Sequence, residues 1–276
     1  LPIYQEPADV PCWNWGIQDD DFYRRVFHEL QTNEKLAVDK KPFFLALATI
    51  TSHMPFKGTP EKLIVHFKQP HNRLENYVNT LTVVDNSLEV LIEEIKKSKF
   101  SNNTILMITG DHGFPMGQHD NFHNENYAFE ENFKVPLLIL DFGGKSKSPL
   151  LSGSSHRFDL PSSHMNLPAS ILDLIGYQGP TSFQAVSLFA LLKSVDKSQP
   201  IYLVQPYSGI LLGSIRWPWK YLFEKKTDRE FIYNLEKDPQ ERQALKAQDI
   251  PTDLLEKLRL DVAAIIWSTK NTKSHH

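Results

Sequence analysis

The chain has 276 residues, 41% hydrophobic and 23% charged, with a formal net charge of −3. That suffices for one large domain, or a domain with an appendage, and the absence of a concentrated basic run argues against a nucleic-acid partner. Apolar runs such as Phe43 to Ile50 and Val135 to Leu140 have strand length and are far too short to span a bilayer.

No basic-then-apolar leader opens the sequence, and Cys12 is the only cysteine, so neither an internal disulfide nor a cysteine-rich metal site is expected. The stretch Leu1 to Gly16 reads as a loop rich in Pro and Trp. Asp19-Asp20-Asp21 then leads into Phe22, Val26 and Leu30, an i, i+4 stripe with acids where the helix dipole favours them. Phe43-Phe44-Leu45-Ala46-Leu47-Ala48 reads as a buried strand that exits into Thr51-Ser52-His53-Met54-Pro55-Phe56.

The clearest helix is predicted from Arg73 to Lys97, where Leu74, Tyr77, Val78, Leu81, Val84, Leu88, Leu91, Ile92 and Ile95 keep a three-four spacing. Asn102-Asn103 makes a turn, and Thr104 to Thr109 is a short buried strand. A polar loop follows from Gly110 to about Asn132, then a strand at Val135 to Leu140 and a helix at about Leu167 to Leu174, closed by Gly176. Apolar strands alternating with helices imply an α/β fold, a mainly parallel sheet with helices on both faces. After about residue 197 the pattern changes. Ile201 to Gln205, Leu212 to Phe223 and Glu230 to Leu235 read as antiparallel strands, and a last amphipathic helix begins near Thr252. The expected organisation is an α/β body over residues 1–196 and a small α+β subdomain over 197–276.

The chemistry concentrates at Gly110-Asp111-His112-Gly113. It sits just past the carboxyl end of a predicted strand, where open α/β sheets place their ligands. A carboxylate followed by an imidazole, flanked by glycines, can turn both groups to one point, and both are metal ligands. His119 and His123 lie in the same loop, and His53 follows another strand end. A metal ion beside a hydrogen-bonding histidine suits phosphoryl or sulfuryl esters: the ion polarises the ester oxygens and the histidine donates to one of them.

The run from Tyr77 through Asp85, Leu88 and Leu91 to Asn103-Thr104 and Gly110-Asp111-His112-Gly113 resembles the sulfatase branch of the alkaline phosphatase superfamily. Val135-Pro136-Leu137-Leu138-Ile139 fits the strand after that motif. His164 to Gly176 is similar to the family's His-x-Asp-Leu-Ala-Pro-Thr-x-Leu-Asp-Leu-x-Gly stretch, with Asn166 replacing its Asp and the Ala-Pro order reversed. Ser214-Ile215-Arg216, Trp219-Lys220-Tyr221 and Tyr233 to Pro239 are similar to the family's C-terminal subdomain. Within that branch, Trp15-Gly16 with Phe22, and the Thr-x-His-x-Pro-Phe stretch ending at Phe56, resemble the lipoteichoic acid synthase group of phosphoglycerol transferases.

The resemblance implies that Asp111 and His112 bind one divalent metal ion (Mn, Mg, Ca or Zn) and that His53 contacts the substrate; His119, in the same loop as the pair, is expected to serve the reaction with His53, and Trp15 and Arg216 to border the substrate. It implies a lipid-linked or glycan phosphate-ester substrate, an extracytoplasmic location, and a membrane anchor upstream of this chain. Sulfatase and phosphoethanolamine transferase are rival activities, and a non-catalytic module that binds glycans or headgroups is the rival of another class. The sulfatase Cys-x-Pro-x-Arg signature is absent, and no Thr or Ser matches the family's early nucleophile. The expectation is therefore a C-terminal part of the catalytic domain, with the nucleophile upstream, and with Asp111, His112, His53 and His119 converging on one cleft.

Overall fold

The structure is a computed structural model, and it describes residues 12–13, 16–32, 42–144, 151, 156–194 and 199–271. In chain order its regular elements are β1 (Cys12–Trp13), β2 (Gly16–Ile17), α1 (Asp19–Thr32), α2 (Arg73–Lys97), β3 (Thr104–Thr109), α3 (Glu130–Phe133), β4 (Leu137–Phe142), α4 (Asn166–Leu174) and α5 (Leu188–Lys193). Then come β5 (Ile201–Gln205), β6 (Leu211–Arg216), β7 (Trp219–Glu224), β8 (Arg229–Asn234) and α6 (Thr252–Asn271). The chain is α/β and falls into two compact units, the first comprising residues 1–104 and 141–145, the second residues 105–140 and 146–276.

In the first unit, α1 packs on α2. The start of α2 is fixed by a reciprocal cap. Asn72 accepts from the Glu75 amide at 2.9 Å, and Glu75 accepts from the His71 amide at 2.7 Å. Its buried face is not the stripe that the apolar residues suggest. Thr80, Val83, Ser87, Leu91 and Ile95 are buried, while Leu74 and Leu81 are largely exposed. The two hydroxyls can sit inside because Thr80 donates to the Tyr77 carbonyl and Ser87 to the Val83 carbonyl. Asp19 is buried at the head of α1, where its carboxylate accepts from the amides of Ile50 and Thr51 at 2.9 and 3.0 Å. The acid expected to serve the helix dipole therefore also clamps the segment leading to His53.

The predicted buried strand at Phe43 to Ala48 differs from the structure. Residues 42–50 run without turn or bend but pair with no strand, and Phe44 is 74% exposed. A strand needs a neighbour to satisfy its backbone, and none of the described residues supplies one.

β3 and β4 form a two-stranded sheet, and in the second unit β5-β6-β7-β8 form an antiparallel meander. The expected single strand Leu212 to Phe223 is a hairpin, because Trp217-Pro218 forms a two-residue loop and Arg216 faces Trp219. Pro218 has no amide to donate to a ladder, which favours a break there.

Period-two alternation divides the meander into two faces. Leu212, Tyr221 and Ile232 face α6 and pack with Leu255, Leu258, Val262 and Ile265. Leu203, Leu211, Ile215, Leu222 and Tyr233 face the other way and pack with Ala128, Phe129 and Phe133. Two bidentate ion pairs pin α6: Arg216 to Asp261 at 2.7 and 2.8 Å, and Arg259 to Glu230 at 2.8 and 2.7 Å. The Arg259 fork holds the Glu230 carboxyl below its ordinary range.

Leu258 is fully buried and Leu260, two residues on, is 67% exposed. Leu258→Ala should cost about 2–5 kcal/mol through lost transfer energy and the cavity left behind. Leu260→Ala should stay within about 0.5 kcal/mol. Urea denaturation of the two variants beside the parent checks both figures.

Candidate active site

The loop that leaves β3 is built by close backbone contacts. Gly113 lies where a Cβ would stand 2.3 Å from the Glu131 carbonyl oxygen, and its amide donates to the Asn132 carbonyl at 2.9 Å. Only glycine fits that approach. Gly117 takes φ +110°, a conformation that side chains other than glycine's rarely adopt.

Within this frame Asp111 and His112 adopt a defined arrangement. Asp111 Oδ1 accepts from the His112 amide at 2.9 Å, turning the carboxylate back over its neighbour. His112 Nδ1 lies 2.8 Å from the Gly113 carbonyl oxygen. A carbonyl only accepts, so Nδ1 carries a proton, and in the tautomer without a second proton Nε2 presents a lone pair. That Nε2 lies 3.6 Å from Asp111 Oδ2. In that tautomer the lone pair and the carboxylate oxygen face each other as two acceptors. Both side chains are open to solvent, at 49% and 89% exposure for His112 and Asp111. Among the described residues no group of three or more His, Cys, Asp and Glu could hold a metal ion.

Two residues that the sequence reading did not single out as functional support the pair. His164 Nε2 donates to the Gly110 carbonyl at 2.8 Å, holding the peptide next to Asp111. The signal was present, since His164 heads the motif at the start of α4. Asn124 Nδ2 lies 3.5 Å from His112 Nε2, at the limit of a hydrogen bond. The Asn124 carbonyl is itself held by Gln205 of β5 at 2.7 Å and by Asn132 at 3.2 Å. Nothing in the sequence links Gln205 to this loop, because the two lie 81 residues apart.

His119 is packed rather than open. Its Nδ1 lies 2.7 Å from Glu131 Oε1, and its ring stacks on Phe129 at 3.7 Å between centroids. Its Nε2 is buried with no hydrogen-bond partner among the described residues. Arg216 directs its guanidinium at Asp261, and Trp15 lies outside the described residues. His53 belongs to the first unit, with its Nδ1 2.8 Å from the Met54 carbonyl oxygen.

A buried ion cluster carries the far end of the loop. Lys220 of β7 is wholly out of solvent, its Nζ 2.8 Å from Glu241 and 3.2 Å from Glu130. Glu241 also accepts from the Glu130 amide at 2.6 Å. Burial drives the Glu241 carboxyl above its ordinary range, against the opposing pull of Lys220.

The sulfatase family model matches residues 3–177, more than half of the chain. The chain belongs to the sulfatase family. Lipoteichoic acid synthase of Staphylococcus saprophyticus is 31% identical over 112 residues, 40% of this chain and 16% of that protein. Ulvan-active sulfatase of Formosa agariphila is 26% identical over 198 residues, 64% of this chain and 37% of that protein. Among solved structures, Ps i-CgsB in complex with k-i-k-neocarrahexaose has a TM-score of 0.70 at 20% identity, over 91% of this chain and 55% of that one. An alkaline phosphatase superfamily protein from Vibrio parahaemolyticus has a TM-score of 0.71 at 19% identity, over 98% of this chain and 58% of that one. The matched stretches thus span well under two thirds of these relatives. The structural likenesses bear out the α/β fold of this superfamily.

Replacing Lys220 with Met leaves the buried Glu241 carboxylate, and the partly exposed Glu130 beside it, without their cation, and it should cost about 3–5 kcal/mol at neutral pH. The sign with pH follows from Glu241. A carboxyl raised in the folded state favours folding below its unfolded pKa, and that contribution is lost as pH rises through the folded value. Without Lys220 the carboxyl rises further, so the deficit should shrink as pH falls toward the acid range. Denaturant titrations of Lys220→Met at several pH values measure it.

Proposed function

We propose that the protein is a metal-dependent enzyme acting on phosphate or sulfate esters, and that the intact polypeptide transfers phosphoglycerol or a related phosphate headgroup. The observation that carries this reading is the pairing of Asp111 Oδ2 with the lone pair of His112 Nε2, two acceptors turned to one point just past the end of β3. Asp111 and His112 would hold a divalent cation, with the remaining ligands supplied from outside this pair. When bound, such an ion stabilises charge on the ester oxygens and activates a hydroxyl nucleophile. His164 fixes the peptide before Asp111, and Asn124 limits rotation of the His112 ring. His53, in a motif that resembles the lipoteichoic acid synthase group, is assigned a hydrogen bond to an ester oxygen. The nucleophile, which no Thr or Ser here matches, is assigned to sequence upstream of this chain. Attack of that hydroxyl on phosphorus, with loss of its proton, would expel the donor's lipid alcohol, which takes up a proton, and leave a covalent phospho-enzyme; an acceptor hydroxyl would then bond to the phosphorus and restore the free nucleophile.

The headgroup reading rests on the lipoteichoic acid synthases among the relatives. One observation favours a second reading. The ulvan-active sulfatase and choline-sulfatase matches run over 64% and 60% of this chain, further than the 40% and 48% of the first two synthases. An extracytoplasmic location and a membrane anchor elsewhere in the polypeptide belong to the same proposal. No helix among the described residues is long and apolar enough to cross a membrane.

The full-length polypeptide should release phosphoglycerol from a labelled phosphatidylglycerol in the presence of Mn²⁺, and Asp111→Asn should abolish that turnover. Turnover of an aryl sulfate alone would replace the transferase with the sulfatase. The 276-residue chain by itself should show no multiple turnover on either substrate. Calorimetry should find its Mn²⁺ affinity on the order of 100-fold or more below that of the full-length polypeptide. Equal affinities would count against Asp111 and His112 as half of a ligand set.

A further inference from the structure

Asn124 links the Asp111-His112 pair to a surface that the chemistry assigned above does not use. Its Nδ2 lies 3.5 Å from His112 Nε2, and its carbonyl accepts from Gln205 Nε2 at 2.7 Å. Gln205 Nε2 also reaches the Tyr127 carbonyl at 3.3 Å, and Ser208, between β5 and β6, donates to Asn126 Oδ1 at 3.0 Å. The turn from His123 to Asn126 is closed by the Asn126 amide on the His123 carbonyl at 3.1 Å. It is therefore tied to residues 205–208, and all of these groups belong to the second unit. Tyr127 is itself one of the tied residues, and Tyr207 precedes another.

Both phenols stand in water. Tyr127 is 49% exposed and Tyr207 65%, and among the described residues neither hydroxyl has a hydrogen-bond partner. The Tyr127 ring leans on Phe129 at 5.6 Å between centroids, which holds it while half of the residue stays in solvent. Its backbone takes φ +59°, where a bulky side chain is an outlier. Asn121 and Asn132 both donate to the preceding carbonyl, that of Asn126, at 3.2 and 2.9 Å, and fix the backbone there. A fold gains little from presenting two aromatic rings to water, whereas a ligand that covers them gains their full contact area.

The polar groups among the rings define that ligand. Asn124, Asn126 and Ser208 offer amides and a hydroxyl, Glu125 is an exposed carboxylate, and no Lys or Arg occurs at residues 121–127 or 201–211. An anionic lipid surface would find no cation here, and Glu125 would repel it. An acyl chain would cover the rings but leave the amides unpaired. A pyranose ring satisfies both, with a flat face of C–H bonds for a phenol and a rim of hydroxyls for the amides and the carboxylate.

We propose that Tyr127 and Tyr207 form a stacking subsite for a neutral hexopyranose ring of the substrate, beside the Asp111-His112 pair. The proximity to a reacting ester rests on the function proposed above; the stacking surface does not.

Calorimetric titration of the full-length polypeptide with three neutral tetrasaccharides, of β-1,4-linked glucose, galactose and N-acetylglucosamine, tests the subsite. At least one should bind with a Kd of about 0.1–5 mM. Tyr127→Ala and Tyr207→Ala should each weaken it about 5–10-fold. Tyr127→Phe and Tyr207→Phe keep the ring and should stay within about 2-fold of the parent. Tyr207 is the more exposed of the two, so Tyr207→Ala should hold its Tm within about 3 °C and separate lost binding from lost folding. Asp111→Asn should bind the tetrasaccharide as the parent does. Sugar binding by a polypeptide that turns over neither ester supports the subsite and overturns the enzymatic function, so the two fail separately. The subsite is overturned if no tetrasaccharide binds below about 20 mM, or if neither alanine variant weakens binding. Sedimentation of the parent with phosphatidylglycerol vesicles that Tyr207→Ala abolishes also overturns it, because the rings would then meet lipid.

Discussion

A lysine ammonium that has left water entirely must find negative charge, and Lys220 finds it in Glu241 and Glu130. The requirement reaches far along the chain, since Lys220 belongs to the antiparallel meander and Glu130 to the segment returning from the Asp111 loop. Glu241 closes the triangle by accepting from the Glu130 amide. The next residue, Glu131, turns its carboxylate to His119, and its carbonyl defines the space that only Gly113 can occupy. Burial of one cation therefore fixes the backbone against which the Asp111-His112 loop is folded. Breaking such a triad from one side strands the remaining charges, so the three residues act as a unit.

The meander is a support for this loop as much as a subdomain of its own. One face is closed by α6, and the two bidentate arginine pairs set the position of that helix. The other face receives Ala128, Phe129 and Phe133, the apolar residues that follow the site loop. Phe129 also stacks on His119 and meets Tyr233 edge to face. Gln205, at the end of β5, reaches the Asn124 carbonyl, and Asn124 approaches His112. The path from sheet to imidazole is thus a chain of short polar contacts. Two exposed side chains at the tip keep their geometry because the residues behind them are buried.

Proton placement on His112 Nδ1 is decided by a carbonyl that can only accept, and in the tautomer without a second proton this leaves a lone pair facing a carboxylate. Without a cation the two acceptors gain nothing from facing each other. The pair is solvent-exposed, so water meets that cost.

Several features were legible in the sequence because they depend on near neighbours. The long helix is predicted at Arg73 to Lys97 and observed there, since a three-four apolar spacing and an Asn-x-x-Glu cap are local signals. The first and last meander strands, the last helix and the glycine-flanked Asp-His pair were readable for the same reason, as were the motifs of the sulfatase family. Other features were decided by tertiary structure. Which face of α2 is buried was settled by packing against α1, which drew Thr80 and Ser87 inside and left Leu81 out. The partners of Arg216 and Lys220 lie 45, 90 and 21 positions away, beyond any periodicity in the sequence. Residues 43–49 show the reverse limit. Their composition states that they prefer to be buried between neighbours, but a strand exists only where a second backbone pairs with it, and composition alone cannot supply that partner.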